Sequence, residues 1–104
     1  MPLLIVNAKY SLGQVVATRG VIDLALQNPA FWDFIQASLN RHAQGDWGVV
    51  DAEDKRLNNQ ALKEGARVLS AYDDPRFPKN GINTIWIITE ADRSATTILL
   101  PDEY

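Results

Sequence analysis

The spacing of hydrophobic residues changes along the chain, and the change predicts helices in its middle and strands in its C-terminal third. After Asn28-Pro29, apolar residues recur at intervals of three and four up to His42, which is the periodicity of one helix face. From Arg67 onward, segments rich in Val, Ile, Thr, Trp and Tyr replace that pattern. They predict three strands, at Arg67–Tyr72, Ile82–Glu90 and Ala95–Leu100.

Local signals mark where the two longer predicted helices begin and end. Asn28 is a favoured N-cap residue, and Pro29 follows it at the first helical position, where a missing N–H costs nothing. Gly45 ends this helix. Asp51 caps a further helix at Ala52–Glu64, because its carboxylate suits the free amides and the positive end of the helix dipole.

The N-terminal part carries weaker signals. Leu3–Asn7 and Gly13–Thr18 are short β-prone stretches that predict edge strands. Thr18 is expected to cap a short helix over Val21–Leu26 with its hydroxyl, although Gly20 lowers the helix propensity there.

Together these elements predict one α+β domain over residues 1–104, in which N-terminal short strands and two to three helices pack on a C-terminal antiparallel β-meander. The loop between the last two strands is short enough for a hairpin in which Glu90 pairs with Ala95. That register places six residues on one face, which we expect under the helices: Ile85, Ile87, Thr89, Thr96, Ile98 and Leu100.

The opposite face of the predicted hairpin is also apolar, since it presents Trp86, Ile88 and Leu99. The outer face of a one-sided antiparallel sheet is normally polar. Two interpretations remain open: another helix or the N-terminal segment covers this face, or it is an interface for a partner protein or for a second copy in a homodimer.

Composition and charge narrow the class of protein. Of the 104 residues, 46% are hydrophobic and 22% are charged, which is typical of a globular domain. The net charge of −3 and the lack of a basic stripe disfavour nucleic-acid binding. The absence of cysteine excludes a disulfide scaffold and thiol chemistry. With neither a membrane-span pattern nor a secretory signal, we expect a cytoplasmic protein.

Two polar clusters are candidates for chemistry. HAQGDWG contributes His42, Asp46 and Trp47, of which the histidine could serve as a general base. The alternative is a buried histidine with satisfied hydrogen bonds, beside a loop whose tryptophan fills the core.

The second cluster is the hairpin tip TEADRSATT, which contributes Glu90, Asp92 and Arg93. Arg93 could hold a carboxylate or phosphate with an acid to orient it, or the tip could be a turn with a surface ion pair. Neither cluster resembles a metal site or a glycine-rich phosphate loop, so no catalytic residue, metal or cofactor is assigned. At the tail, Asp102 and Glu103 are expected to be exposed, and Tyr104 either packs back or marks a terminal motif.

The blocks HAQGDWG, DAEDKRLNNQAL, EGARVLSAY and WIITEADRSATTILLPDEY resemble a group of small bacterial proteins carried on plasmids and other mobile elements. Members are labelled "plasmid-related protein" or "type I restriction endonuclease subunit M". The resemblance implies a mobile-element origin and a bacterial cytoplasm, and it brings no activity or catalytic residue. The restriction label does not fit, because an adenine methyltransferase needs a doubly wound cofactor domain with a glycine-rich turn.

Three functions follow as hypotheses. The leading one is a non-enzymatic accessory module of a mobile element that binds a protein partner or itself. The second is a modulator of host defence or restriction that acts through protein contacts. The third is a small enzyme or ligand-binding domain, which requires the GDWG loop and the ADRS hairpin tip to meet in space.

Overall fold

A computed structural model of the protein describes residues 8–74, 76 and 84–104. The described elements, in chain order, are β1 (Gln14–Ala17), α1 (Arg19–Gln27), α2 (Pro29–Ala43), α3 (Ala52–Glu64), β2 (Val68–Asp73), β3 (Thr84–Thr89), β4 (Ala95–Leu99) and a 3₁₀ turn (Pro101–Glu103). The α+β prediction is confirmed. The predicted strand Leu3–Asn7 and the start of the predicted strand Ile82–Glu90 lie outside the described residues.

Two helices begin where the sequence predicts. The Asn28 side chain accepts a hydrogen bond from the Ala30 amide at 3.1 Å, with Pro29 at the first helical position of α2. The Asp51 carboxylate accepts one from the Asp54 amide at 2.8 Å. These bonds satisfy amides that have no partner within the helix.

Thr18 is the N-cap residue of α1, as predicted, but the expected hydrogen bond from a helix amide to its hydroxyl is wrong. The Thr18 hydroxyl makes no cap bond and instead donates to Glu103 Oε1 at 2.5 Å. The other oxygen of that carboxylate accepts from the Gly20 amide at 3.1 Å, and Oε1 also accepts from the Leu100 amide at 2.9 Å. A residue from the C-terminal turn therefore takes the place of the local cap.

The four strands form one sheet in the order β1-β4-β3-β2. Strands β2, β3 and β4 are the predicted antiparallel meander, and the pairs Thr89–Thr96 and Ile87–Ile98 confirm the predicted register. Strand β1 lies at the edge, as expected for Gly13–Thr18, and it runs parallel to β4.

The core lies between one face of the sheet and the helices. Ile85, Ile87 and Ile98 on the predicted inner face are fully buried, and they pack with apolar residues of α1 and α2 in one cluster. Burial of such side chains is the main favourable contribution to folding. A second cluster joins Trp47 and Val68 to Ala61 of α3.

The outer edge of β2 is covered by the chain itself. The Asn58 side chain of α3 donates to the Leu69 carbonyl at 2.7 Å and accepts from the Leu69 amide at 3.2 Å. Gly48 forms a bridge with Ala71, where a Cβ atom on the glycine would lie 1.8 Å from the Ala71 oxygen. Covering an edge in this way prevents pairing with another strand.

Among the described residues, no helix has the length and apolar character needed to cross a bilayer.

Candidate functional site

His42 lies at the centre of a buried polar network that joins α2 to three strand residues. The ring is fully buried, its Nδ1 lies 2.6 Å from Ser70 Oγ, and its Nε2 lies 2.8 Å from Thr89 Oγ1. Thr89 Oγ1 lies 2.7 Å from Thr96 Oγ1, which donates to the Leu12 carbonyl at 2.7 Å. Every polar atom of the ring is thus paired inside the protein.

The directions of these hydrogen bonds follow from counting protons. Thr96 uses its one hydroxyl proton on the Leu12 carbonyl, so Thr89 must donate to Thr96. Thr89 then has no proton left for the ring, so His42 must donate from Nε2. Nδ1 is left as an acceptor, and the Ser70 hydroxyl donates to it at 2.6 Å in preference to the Ile87 carbonyl at 3.5 Å. The neutral Nε2–H tautomer is therefore the one that satisfies all the groups.

Burial also keeps the imidazole neutral. Desolvation, with a smaller contribution from the positive charge of Arg93, lowers the pKa of His42 to about 3. A general base needs a pKa near the working pH and a path to its substrate. The geometry instead matches the second interpretation, a buried histidine with satisfied hydrogen bonds.

Tyr10, which the sequence reading missed, is the point where the two predicted clusters meet. Its ring centroid lies 5.9 Å from that of His42 and 6.2 Å from that of Trp47. The Arg93 guanidinium lies 5.7 Å from the same ring, and the Tyr10 hydroxyl donates to the His42 carbonyl at 2.7 Å. Burial is the main cause that raises the pKa of this hydroxyl far above its usual value. The GDWG loop and the hairpin tip therefore do come together, around an aromatic ring.

The remaining polar groups of the GDWG loop bind neighbouring parts of the chain. The Asp46 carboxylate accepts from Arg41 at 2.7 and 3.1 Å and from the Gly48 amide at 3.1 Å. The hydrogen bond from Arg41 is the main cause that holds the pKa of Asp46 below its usual range. Trp47 is buried and donates from its indole to Asn59 at 2.9 Å. The tryptophan fills the core, as one interpretation of the sequence expected.

Arg93 joins the hairpin tip to the C-terminal end of α3. Its guanidinium donates to the carbonyls of Ala66 at 2.8 Å, Glu90 at 3.0 Å and Ala61 at 3.3 Å. A cation is favoured there, because the C-terminal end of a helix carries partial negative charge. The backbone of Arg93 has a φ of 62°, a left-handed conformation that costs energy for a bulky side chain.

The two acids of the hairpin tip do not orient this guanidinium. The Asp92 carboxylate accepts from the Ser94 amide at 3.0 Å, a turn bond typical of Asp. Glu90 contacts Arg93 through its backbone carbonyl. The arrangement favours the turn interpretation of TEADRSATT over a site for a carboxylate or phosphate.

The second sheet face is partly closed by the C-terminal tail. Ile88 and Leu99 are only 4% and 5% exposed, and Trp86 is half-buried with its ring centroid 5.4 Å from that of Tyr104. The Tyr104 hydroxyl accepts from Arg67 at 2.5 Å. An interface at Trp86, Ile88 and Leu99 stays a prediction, of which Trp86 is the member that retains accessible surface.

A different apolar surface, which the sequence reading missed, lies between α1 and α2. It is an open groove of about 520 Å³, called here the α1–α2 groove. Its lining residues are Ile22, Ala25, Leu26, Pro29, Trp32 and Asp33. Leu26 is 79% exposed and Ile22 is 37% exposed. A signal existed, because the apolar residues of α1 cover more than half of its circumference, opposite a polar face of Arg19, Asp23 and Gln27. This apolar surface extends beyond the core face that Val21 and Leu24 supply.

The described residues contain no group of three or more acidic or histidine side chains that could hold a metal ion. Comparisons of the chain with protein-family models, with curated proteins and with solved structures found no match. The resemblance to mobile-element proteins therefore stays a prediction from the sequence motifs, and the geometry is the basis for the proposals below.

Proposed function

We propose that this chain is a non-enzymatic protein-binding accessory module and that the α1–α2 groove is its binding surface. The observation that carries the proposal is the exposure of Leu26 and Ile22 on the rim of an open groove whose lining is apolar at five of six positions. Contiguous apolar surface of this kind is a common mark of an interaction site, whereas isolated exposed hydrophobic residues are ordinary.

The bonding of the candidate catalytic residues supports binding over catalysis. The His42 ring is buried with both nitrogens hydrogen-bonded, and the Arg93 guanidinium holds the end of α3. The Asp46 carboxylate is occupied by Arg41 and a loop amide. Each group has a structural partner that a substrate would have to displace, at the cost of a buried or helix-terminal polar group.

The sequence resemblance supports a bacterial mobile element as the origin of such a module. A partner among host-defence or restriction proteins would then make it a modulator of defence, and this role rests on the resemblance alone. The binding surface is independent of that assignment, and the following test needs no assumption about the partner.

Co-purification tests the proposal with two matched variants. Leu26→Asp places a charge on the groove, and Leu57→Asp places the same charge on α3 at a leucine that is 46% exposed. We expect a stoichiometric partner to co-purify from the host with the natural chain and Leu57→Asp, and to be lost from Leu26→Asp. Equal recovery by both variants would contradict the assignment of the groove. Near-UV circular dichroism checks that both variants fold.

A further inference from the structure

The structure also indicates what kind of segment the α1–α2 groove accepts. We infer that its ligand is a short amphipathic helix of a partner protein, with Lys or Arg placed beside its apolar anchors. This inference rests on the proposed function, since it specifies the partner of the same surface. It follows from the shape, the size and the charge of the groove.

The shape of the groove suits a third helix. On α1 the lining residues are Ile22, Ala25 and Leu26, and on α2 they are Pro29, Trp32 and Asp33. Both sets have the spacing i, i+3, i+4, so each forms a ridge on one helix face. Because Asn28 alone separates the helices, the two ridges diverge from a common corner. A helix packs its side chains into such a groove between ridges.

The size of the groove suits a short segment of a partner protein. Six residues line it, whereas a standard protein interface uses about 20 to 30 residues on each side. Its volume of about 520 Å³ lies within the range of roughly 300 to 1,000 Å³ that is typical of ligand sites. A few anchor side chains from one helix fill a site of this size.

The charge of the groove selects a cation. Asp33 is the one charged lining residue, and no side chain in the described part of the chain forms a salt bridge with it. The charge of Asp33 acts on the guanidinium of Arg76, but weakly. The pKa of Arg76 is raised chiefly by its hydrogen bonds to Asp74, and Asp33 makes the smallest contribution. Among the described residues, the Asp33 carboxylate thus has no salt-bridge partner, and its charge favours a cation on the ligand.

The indole of Trp32 adds to the same preference. It lines the same groove as Asp33, so a cationic side chain that enters the groove can contact an aromatic ring. Aromatic faces attract cations. An apolar anchor with a neighbouring Lys or Arg thus matches every lining residue, whereas an acidic helix would face an unpaired carboxylate.

Two stapled helical peptides of about 14 residues, roughly four turns, test the inference. Both carry Leu at the same i, i+3, i+4, i+7 positions, and the remaining positions are rich in Lys in one peptide and in Glu in the other. Fluorescence anisotropy at 0.15 M salt measures their affinities, since long-range attraction to the chain's net charge is largely screened there. We expect the Lys peptide to bind at least tenfold more tightly than the Glu peptide.

Variants then test which residues cause the preference for the Lys peptide. Asp33→Asn should reduce the Lys-to-Glu affinity ratio by about threefold or more, as expected for loss of one partly exposed ion pair. Asp102→Asn removes the same charge from an exposed position outside the groove and should leave the ratio unchanged. Leu26→Asp should weaken the Lys peptide at least tenfold, whereas Leu57→Asp should not.

Three results would overturn the inference: no binding of the Lys peptide, no preference over the Glu peptide, or equal effects of Asp33→Asn and Asp102→Asn. The proposed function is tested by a separate result. If the host partner is lost with Leu26→Asp but the Lys peptide shows no preference over the Glu peptide, the cationic helix is wrong and the groove is still a protein-binding surface.

Discussion

His42 donates from Nε2 to Thr89 Oγ1 across 2.8 Å, and this bond joins the last turn of α2 to the end of β3 inside the core. Because Thr89 passes its own proton to Thr96, the bond has one possible direction. This hydrogen bond gives His42, a candidate catalytic residue in the sequence, a structural role. It also gives quantitative expectations for stability.

Removing both ends of this bond should cost less than the sum of the two single losses. His42→Leu leaves Ser70 and Thr89 without their partner, and Thr89→Val leaves the His42 N–H unpaired. We expect each single variant to lose about 2 to 4 kcal/mol of unfolding free energy, because a buried group loses its hydrogen bond. The double variant should lose at least 1 kcal/mol less than the sum. Urea unfolding measures all four chains, and additive losses would contradict the network.

Protonation of His42 should make stability depend on pH below neutrality. The pKa of His42 is lowered to about 3 in the folded chain, against about 6.5 when unfolded. Between these values the unfolded chain binds the additional proton, so stability is complete above pH 6.5 and decreases as the pH falls. The slope should approach about 1.4 kcal/mol per pH unit.

The control for this dependence uses the fact that His42 is the single histidine of the sequence. Between pH 7 and 5 the carboxyl groups contribute little, because their ordinary pKa values lie near 4. His42→Gln should therefore flatten urea midpoints over that interval. An equal slope in the variant would show that another group is responsible.

At position 93, a glycine variant should be more stable than an alanine variant, which is the reverse of the usual order. Both Arg93→Ala and Arg93→Gly lose the hydrogen bonds to the end of α3, but glycine alone relieves the φ of 62°. We expect Arg93→Gly to be the more stable of the two by about 1 kcal/mol, as measured by thermal and urea unfolding. A less stable glycine variant would mean that the backbone strain is not significant.

A glycine should be required at position 20, because the Glu103 side chain occupies the space that a Cβ atom would need. In an ordinary helix, Gly→Ala gains up to about 1 kcal/mol. Here a Cβ atom at position 20 would lie 2.7 Å from Glu103 Oε2, so Gly20→Ala should give no gain. Part of the gain should return in a Glu103→Ala background, where the contact with Leu100 Cδ1 at 3.0 Å remains. A double-mutant cycle by urea unfolding checks this coupling, and independent effects would contradict it.

The predictable parts of the fold depend on neighbours in sequence. The caps Asn28 and Asp51 bond to amides two and three residues away, and the hairpin register follows from alternation and a short loop. The burial of His42 follows from its place on an apolar helix face. The polar residues Thr89 and Thr96 on the otherwise aliphatic inner face were the available signal for its partners, since buried polar groups need hydrogen bonds.

The parts that sequence reasoning missed depend on contacts between distant segments. Thr18 has the side chain of a cap residue, but its hydroxyl instead bonds to Glu103, which lies 85 positions away in the sequence. Arg93 similarly serves a helix that ends 29 residues earlier (93 − 64). Local propensity contains no information on either pairing, and the parallel placement of β1 beside β4 is set by the same tertiary packing.

Site-specific photocrosslinking tests the central claim, that the α1–α2 groove binds a protein, most directly. A photoreactive amino acid replaces Leu26 in one chain and Leu57 in the other, two exposed leucines on different helices. Irradiation in the host should give a discrete adduct with another protein from position 26 and none from position 57, and Ile22→Asp should abolish it. No adduct from position 26, or the same adduct from both positions, would contradict the account.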